Sequence, residues 1–360
     1  MKRMRTKIQI TLACLLAIPL ARAQEVHIGV LGLFHPQELK LTTSNGSAVV
    51  VHVGDKPIIL EKSSGTDSAN FHIVGSQMAI TTGASTFRSA SVSVTSRENS
   101  ATDFVLSVPG KITRRYRGTL ELKADSDKLT AVVSMDLETA VASVVGAEST
   151  PDVPTEALKA QAVATRSYYV AGKGRHHGFD FCDTTHCQLL REPPAPSNPV
   201  AKAVSATRGL VLAYHSHPFA AMYTRSCSGH TKTPKELGMP GDAYPYYSVE
   251  CKYCHEHPFR WQRRIAASDA AKLRSSNEAS RLSLVRRLGW NTVPSDDFTM
   301  QENGDQVGLR GTGSGHGIGL CQAGAKAMAH DGASFREILG YYYSNASVAN
   351  LSVPAGSAGK

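Results

Sequence analysis

The hydrophobic pattern of the chain changes once, at Asp136, and this change limits the folds that are open to it. From Val26 to about Val133 the chain is rich in Val, Thr, Ser and Gly, with short alternating runs between turn residues, which is typical of β-strands. After Asp136, apolar residues recur at helical spacing up to Glu148. The sequence therefore predicts an α+β protein in which a β-rich N-terminal scaffold precedes a mixed region of helices and strands.

The clearest individual elements are predicted from these patterns and from the turn residues between them. The predicted strands cover 26–30, 48–53, 71–74, 91–95, 119–123 and 129–133, with a hairpin at 210–214 and 219–224. The predicted helices cover 137–148, 155–170, 200–207, 268–288, 320–330 and 334–343. The helix at 268–288 is strongly basic, and the simplest interpretation of its charge is a solvated face.

The first 23 residues have the pattern of a secretory signal peptide: a basic start, an apolar stretch over 8–20 and a small-x-small site at Ala21–Ala23. A membrane anchor is the alternative, but the stretch is short for a span and contains Pro19. Cys14 lacks the context of a lipoprotein acylation site. No later stretch is apolar enough to cross a bilayer. The sequence thus predicts export to the periplasm, cell wall or outside, with no transmembrane segment after cleavage.

Charge gives little support for a nucleic-acid partner. The chain has 39 basic and 30 acidic residues, but five of the basic ones lie in residues 1–23, which leaves 34 against 30 in the rest. So small an excess over 337 residues is weak support for binding a polyanion. The phosphate-binding loop, the dinucleotide fingerprint, H-E-x-x-H and G-x-S-x-G are all absent. No nucleotide cofactor and no nucleic-acid partner are predicted.

A carboxyl group lies where the first predicted helix ends. Glu148 follows Val144 and Val145 and is near the negative end of the helix, and both effects raise the pKa of a carboxyl group. A raised pKa suits a general acid. On the next helix, Lys159 and Arg166 share a face and could line a groove. From periodicity alone, an ordinary surface acid beside an amphipathic helix is the simpler interpretation.

Three motifs in order make the sequence recognisable: GAE at 146–148 with EALKAQAVATRSY at 156–168, YTRSCSGHT at 223–231, and GHGIGLCQ at 315–322 with Gly324. Together they closely resemble the SpoIID/LytB domain, the family of stage II sporulation protein D and the amidase enhancer LytB, over roughly residues 110–345. The resemblance implies that Glu148 is the catalytic acid. Arg225, Cys227 and Cys321 depart from the small residues common at their positions, which bears on substrate details. The side chains that the resemblance implies around the cleft are Lys159, Gln161, Arg166, Tyr223, Ser226, Ser228, His316 and Gln322.

The resemblance implies a lytic transglycosylase, a lyase that cuts peptidoglycan glycan strands. Glu148 would protonate the oxygen between N-acetylmuramic acid and N-acetylglucosamine and would then take the proton of the muramoyl C6 hydroxyl, giving a 1,6-anhydro product. Asp152 is the nearest candidate for a second acid, which would permit hydrolysis instead. The rival interpretation is a non-catalytic glycan-binding module that enhances a cell-wall amidase.

The implied domain organisation follows from the extent of this resemblance. After the signal peptide at 1–23, residues 24–110 form the β-rich N-terminal region. Residues 111–345 form the catalytic domain with its substrate cleft, and 346–360 form a C-terminal tail. The implied partners are peptidoglycan glycan strands and, for the rival interpretation, an amidase.

Six cysteines follow residue 23, and in an exported protein an even number favours disulfides. Residues 176–187 nevertheless hold two Cys and three His, and two of each make a suitable tetrahedral Zn²⁺ set. A Cys182–Cys187 disulfide is the alternative. Some family members hold zinc at a corresponding segment, so the resemblance favours zinc. The implied ligands of this structural Zn²⁺ are His176, Cys182, His186 and Cys187, with His177 as an alternative to His176.

The remaining four cysteines leave more alternatives open. Cys251 and Cys254 form a C-x-x-C motif, which suits a redox pair or half of a metal site. A disulfide within the motif, or from it to Cys227 or Cys321, is the favoured interpretation. The sequence does not choose among these pairings.

Overall fold

The computed structural model describes residues 24–44, 46–239, 243–275, 284–285, 287–303 and 305–351. The predicted signal peptide and residues 352–360 of the predicted tail lie outside the described residues, as does the part of the predicted basic helix at 276–283 and 286. The α+β class predicted from the sequence is confirmed.

The N-terminal part of the chain forms one large sheet of twelve strands. Its path runs β12-β1-β11-β10-β9-β2-β5-β6-β7, with β8 paired to β10 and β3 linking β8 to β4. Alternating side chains of β9 and β2 enter the core, as expected for a half-buried strand. The strands are β1 (Glu25–Val30), β2 (Glu38–Thr43), β3 (Val49–Val53), β4 (Lys56–Leu60), β5 (Ser68–Val74), β6 (Gln77–Thr82), β7 (Ser85–Ser89), β8 (Ser91–Thr95), β9 (Thr102–Val108), β10 (Ile112–Asp125), β11 (Lys128–Asp136) and β12 (Phe181–Cys182).

The longest strand, β10, changes partners at Gly118. Its first half pairs with β9 up to Gly118, and its second half pairs with β11 from Thr119 onward. A Cβ atom at Gly118 would lie 2.3 Å from the carbonyl oxygen of Ser134, so only glycine allows this approach of the two backbones. Because β9 and β10 are paired neighbours, the sheet is continuous across residue 110.

Two helices follow the sheet directly. Helix α1 (Leu137–Glu148) begins at Asp136, whose carboxylate accepts hydrogen bonds from the backbone N–H groups of Glu138 and Thr139 at 3.0 and 3.1 Å. A six-residue break with two prolines separates it from α2 (Thr155–Ala171). From Ala157 to Tyr169, every residue of α2 except Lys159 is buried, so α2 is a core helix rather than an amphipathic surface helix.

The rest of the chain packs around α2 and carries three small sheets. These are β14-β13-β20, the parallel pair β15-β19, and β16-β18-β17. No helix in the described part of the chain is long and apolar enough to span a membrane. The elements are α3 (Pro199–Ala206), β13 (Leu210–Tyr214), β14 (His217–Pro218), β15 (Tyr223–Thr224), α4 (Lys252–Glu256), β16 (Arg260–Ala266), α5 (Ala267–Ser275), β17 (Phe298–Asn303), β18 (Gln306–Thr312), β19 (Leu320–Cys321), α6 (Gln322–His330), α7 (Phe335–Tyr342) and β20 (Ser347–Asn350).

Candidate active site

A cleft of about 650 Å³ lies where the end of α1 meets four loops. Its walls come from segments far apart in sequence: the loop after α2, the region of β15, residues 288–292 and the glycine-rich segment before β19. Among the side chains predicted from the sequence, it contains Glu148, His186, Cys187, Tyr223, His316 and Gln322.

Glu148 is the last residue of α1, and its half-buried carboxyl group faces the cleft. The backbone N–H of Leu189 donates a hydrogen bond to Glu148 Oε1 at 3.3 Å. Burial raises the pKa of Glu148, while this hydrogen bond and the positive charges of Arg225 and Arg191 act in the opposite direction. The net shift is upward, so a larger fraction of this carboxyl group carries its proton than in a solvated glutamate.

A second, much smaller cavity of about 30 Å³ lies beside Glu148. Gln161 and Gln322 line it, and Gln161 is only 3% exposed. Gln161 Nε2 donates to Thr165 Oγ1 at 3.4 Å, and its Oε1 atom has no hydrogen-bond partner among the described residues. The buried amide therefore contributes a free acceptor next to the carboxyl group.

Glu148 is the only carboxyl group among the described residues that line the cleft. Asp152, the sequence candidate for a second acid, does not line it. It is exposed and forms an ion pair with Lys326, and hydrogen bonds from Lys326 and Thr150 lower the pKa of Asp152 to about 2. An acid of this pKa is ionised at neutral pH and is a poor proton donor.

Three further polar side chains, Tyr223, His316 and Gln322, line the same cleft. Tyr223 Oη donates to Gln188 Oε1 at 2.9 Å, and desolvation together with the charge of Glu148 raises the pKa of Tyr223 well above its usual value, so the phenol stays protonated. His316 Nδ1 accepts a hydrogen bond from the N–H of Ile318 at 3.0 Å, which leaves the proton of a neutral imidazole on Nε2. Gln322 begins α6.

The glycine-rich segment brings backbone close to β15. Gly315 has a φ of 98°, and a Cβ atom there would lie 2.4 Å from Thr224 Oγ1. That hydroxyl group donates to the carbonyl of Ser314 at 3.0 Å and accepts from the N–H of Gly317 at 3.1 Å. Glycine at 315 is therefore needed for the segment that presents His316 to the cleft.

Five side chains that the resemblance implied around the cleft do not line it, and one of them, Gln161, lines only the smaller cavity beside Glu148. Arg166 is fully buried and forms a two-pronged ion pair with Glu138, with Nε–Oε1 at 2.9 Å and Nη2–Oε2 at 2.6 Å. Lys159 pairs with Glu156 at 2.6 Å. Ser226 and Ser228 donate to backbone carbonyl groups, at 3.4 Å to Cys227 and at 3.1 Å to Thr312. In each case the polar group is directed to a partner inside the fold.

The predicted zinc ligands come together in the loop after α2. One ligand atom each of His176, Cys182, His186 and Cys187 lies within 4.8 Å of the other three. The nitrogen–sulfur distances of 3.2, 3.7 and 3.8 Å are close to the edge of about 3.6 Å that a tetrahedral zinc ion with two Cys and two His would set. A hydrogen bond from the Cys187 thiol lowers the pKa of Cys182 to about 3, which favours the thiolate. The donor set fits zinc.

This loop is anchored on the large sheet. β12 pairs in parallel with β1, and the N–H of Asp183 donates to the carbonyl of Gly29 at 3.1 Å. The buried carboxylate of Asp183 accepts from the N–H of Leu31 at 3.1 Å and from Arg114 Nη1 at 2.7 Å. The cleft wall that carries His186, Cys187 and Leu189 therefore rests on strand β1.

The other four cysteines form a second cluster. Cys227, Cys251, Cys254 and Cys321 are all buried, and their sulfur atoms lie within 4.8 Å of one another. The sequence favoured a disulfide in this group, whereas the structure has no disulfide among the six described cysteines. Instead, all four thiols converge, a set that can bind a metal such as zinc.

Several cleft residues escaped sequence reasoning. Gln188 accepts a hydrogen bond from Tyr223 through its side-chain amide, and Leu189 donates to Glu148 through its backbone N–H. Neither contact corresponds to a recognisable sequence motif. Arg191 lines the cleft and adds a positive charge beside Glu148. Trp290 also lines it. The proximity of His186–Cys187 to these positions was the one available signal.

The fold and site define a class of α+β protein in which a cleft is built around a single half-buried carboxyl group. Residues 125–214, which include α1, α2 and the first cysteine–histidine cluster, match the model of the SpoIID family, described as Stage II sporulation protein. The chain contains a SpoIID-family domain, which confirms the resemblance found in its motifs.

Relatives agree with this match. An uncharacterised protein of Brachyspira hyodysenteriae (strain ATCC 49526 / WA1) is 28% identical over 266 residues, covering 65% of this chain and 72% of the relative. Stage II sporulation protein D of Bacillus subtilis (strain 168) is 25% identical over 259 residues, covering 59% and 74%. The amidase enhancer of the same organism is 23% identical over 266 residues, covering 52% of this chain and 37% of that protein.

Proposed function

We propose that this protein is an exported lytic transglycosylase that cuts peptidoglycan glycan strands between N-acetylmuramic acid and N-acetylglucosamine. The observation that carries the proposal is the single carboxyl group of the cleft: Glu148 has a raised pKa, and no other Asp or Glu lies among the described lining residues. Hydrolytic glycosidases require a pair of carboxyl groups, whereas an intramolecular nucleophile removes the need for the second.

In the proposed reaction, Glu148 first donates a proton and later accepts one. The protonated carboxyl group donates to the glycosidic oxygen as the bond from that oxygen to muramoyl C1 breaks. The resulting carboxylate then accepts the proton of the C6 hydroxyl group, and the C6 oxygen forms a bond to C1, which closes the 1,6-anhydro ring. Arg191 and Arg225 stabilise the carboxylate between the two steps, since their charges favour its ionised form.

Three polar side chains of the cleft suit contacts to the sugar. Tyr223 stays protonated and can donate, Gln322 offers both a donor and an acceptor, and the Nε2–H of a neutral His316 can donate. Their presence in the same cleft as Glu148 supports roles in holding the glycan. Trp290 adds an aromatic surface on which a sugar ring can pack.

The cluster of His176, Cys182, His186 and Cys187 is proposed to hold a structural zinc ion. Four protein ligands complete a tetrahedral coordination sphere, and a metal bound in that way supplies cross-linking rather than a Lewis acid. His186 and Cys187 lie directly before Gln188 and Leu189 in the cleft wall. These ligands therefore hold the backbone N–H that contacts Glu148.

The test is mass spectrometry of purified glycan strands, intact and stripped of peptides, after incubation with wild type, Glu148→Gln and Asp152→Asn. We expect anhydromuramic ends from wild type and from Asp152→Asn. Glu148→Gln should lose about 10²–10⁴-fold in rate, the usual contribution of a general acid–base group. Reducing ends from wild type would instead mean hydrolysis and would overturn the proposal.

A second candidate is a non-catalytic module that binds glycan and enhances a cell-wall amidase. It is favoured by the match to the amidase enhancer over 52% of this chain. In that case wild type and Glu148→Gln would bind glycan strands equally, neither would cut them, and both would raise the rate of an added amidase.

A further inference from the structure

The second cysteine cluster gathers four sulfur atoms from three separate parts of the chain. Cys227 follows β15, Cys251 is the N-cap residue of α4, Cys254 lies in the first turn of α4, and Cys321 ends β19. All four residues are at most 2% exposed, and the sulfur atoms of Cys254 and Cys321 are 3.5 Å apart. For four thiolates around one zinc ion at about 2.3 Å, the sulfur–sulfur edge is about 3.8 Å.

Hydrogen-bond donors surround these sulfur atoms. The backbone N–H groups of Cys227 and Gly324 both donate to Cys321 Sγ, at 3.4 and 3.5 Å. The hydroxyl groups of Ser226 and Tyr342 lie 3.5 Å from Cys254 Sγ and 3.4 Å from Cys251 Sγ. Backbone N–H donors such as the two at Cys321 stabilise the negative charge of a thiolate, which is the form that binds a metal, and they are the usual outer partners of metal ligands.

Helix α6 adds to this environment at its first turn. Cys321 is the N-cap residue of α6, where the helix dipole also favours a negative charge. A Cβ atom at Gly324 would lie 2.6 Å from Cys251 Sγ and 2.0 Å from Tyr342 Oη. Only glycine therefore lets the helix approach the cluster closely enough for the Gly324 N–H to reach Cys321.

The arrangement does not match two disulfides. A disulfide brings two sulfur atoms to about 2.0 Å and leaves them poor acceptors of hydrogen bonds. Here each sulfur lies within 4.8 Å of all three others, and no pair is bonded. The residues share one centre rather than dividing into pairs.

We infer that Cys227, Cys251, Cys254 and Cys321 form a second zinc site, separate from the His176–Cys187 cluster. Its four thiolates leave no open position, so the ion is structural: it joins the segment after β15, helix α4 and the start of α6. The C-x-x-C spacing at the start of α4 is the usual half of such a site. This inference is independent of the proposed reaction, because none of these four residues lines the cleft.

The first test is the metal content of the full chain, purified without chelators and measured by elemental mass spectrometry. Wild type should contain two zinc ions per chain. The variants Cys251→Ser/Cys254→Ser and Cys182→Ser/Cys187→Ser should each contain one, and each serves as the matched control of the other. Wild type that holds one zinc, with the Cys251→Ser/Cys254→Ser variant unchanged from it, would overturn the inference, and so would iron in place of zinc.

Two measurements on wild type remain decisive if the variants fold poorly. Zinc-edge X-ray absorption should give an average of about three sulfur and one nitrogen ligand per ion for one site of each kind, against about two of each for the first cluster alone. Alkylation under denaturing conditions with a chelator should modify Cys227, Cys251, Cys254 and Cys321 without prior reduction. Resistance of these four to alkylation until a reductant is added would show disulfides and overturn the zinc site.

Discussion

At the scale of single residues, burial of the Glu148 carboxyl group has two effects: it raises the pKa of the group, which suits a proton donor, and it lowers the stability of the folded protein at neutral pH. Burial raises its pKa in the folded protein above the unfolded value of about 4.3. The folded state therefore binds this proton more readily than the unfolded state. Stability associated with Glu148 is greatest below the unfolded pKa and declines as the pH rises toward the folded pKa.

We predict that Glu148→Gln has a higher free energy of unfolding than wild type at neutral pH. The amide carries no charge to desolvate and keeps an oxygen that can accept from the Leu189 N–H. The difference should shrink as the pH falls and vanish below about pH 4, where the glutamate is protonated in both states. Urea unfolding of both proteins across this pH range measures the effect.

Asp152→Asn provides a control of opposite sign. The pKa of Asp152 is lowered to about 2 by Lys326 and Thr150, so its ionised form favours the folded state above the unfolded pKa. Its replacement should give no gain in stability at neutral pH. A Glu148→Gln variant that is no more stable than wild type at neutral pH would contradict the account of its burial.

At the scale of elements, helix α2 is held by its one buried ion pair. The Arg166 side chain is fully buried, and Glu138 on α1 is 11% exposed. Arg166 Nη1 also donates to the carbonyl of Leu210 at 3.0 Å, which links α2 to β13. Arg166 therefore joins α1, α2 and β13, and it does not line the cleft.

We predict that Arg166→Met lowers the free energy of unfolding by about 3–5 kcal/mol, because it leaves the Glu138 carboxylate buried without its partner. Lys159→Met on the same helix breaks an ion pair that is partly exposed and should cost only about 0–1 kcal/mol. The double variant Arg166→Met/Glu138→Leu should recover part of the loss. Chemical denaturation measures all three, and an Arg166→Met cost no larger than that of Lys159→Met would contradict this role.

The same elements show what the sequence could predict. The bounds of α1 were predicted correctly because Asp136 caps the helix through its side chain and the apolar spacing continues to Glu148. The burial of Arg166 could not be predicted in this way, because periodicity tells which residues share a face of a helix but not whether that face meets solvent or core. The convergence of Cys227 and Cys321, 94 residues apart, is likewise a property of the tertiary fold.

At the scale of the whole molecule, the N-terminal strands build part of the cleft. The sequence suggested a boundary at residue 110, with the strands before it as a separate region. In the structure, β10 pairs with β9 across that position, β11 pairs with β1, and the loop that carries Cys187 and Leu189 is anchored on β1. Residues 111–345 alone would lack β1, β8 and β9, the three strands that pair with β10 and β11.

We predict that the segment 111–345 does not fold by itself. Without β1, β8 and β9, buried side chains such as Tyr116, Leu120 and Val133 would become exposed, at a cost of about 1.5–3 kcal/mol for each large apolar side chain. Circular dichroism and hydrogen exchange should show a cooperative fold for residues 24–351 and none for 111–345. Co-expression of 24–110 with 111–345 is the control, because it returns the missing strands and should restore protection of β10 and β11. An isolated 111–345 segment with native-like protection would instead establish the boundary that the sequence suggested, and the anchoring of the cleft wall on β1 would then be dispensable.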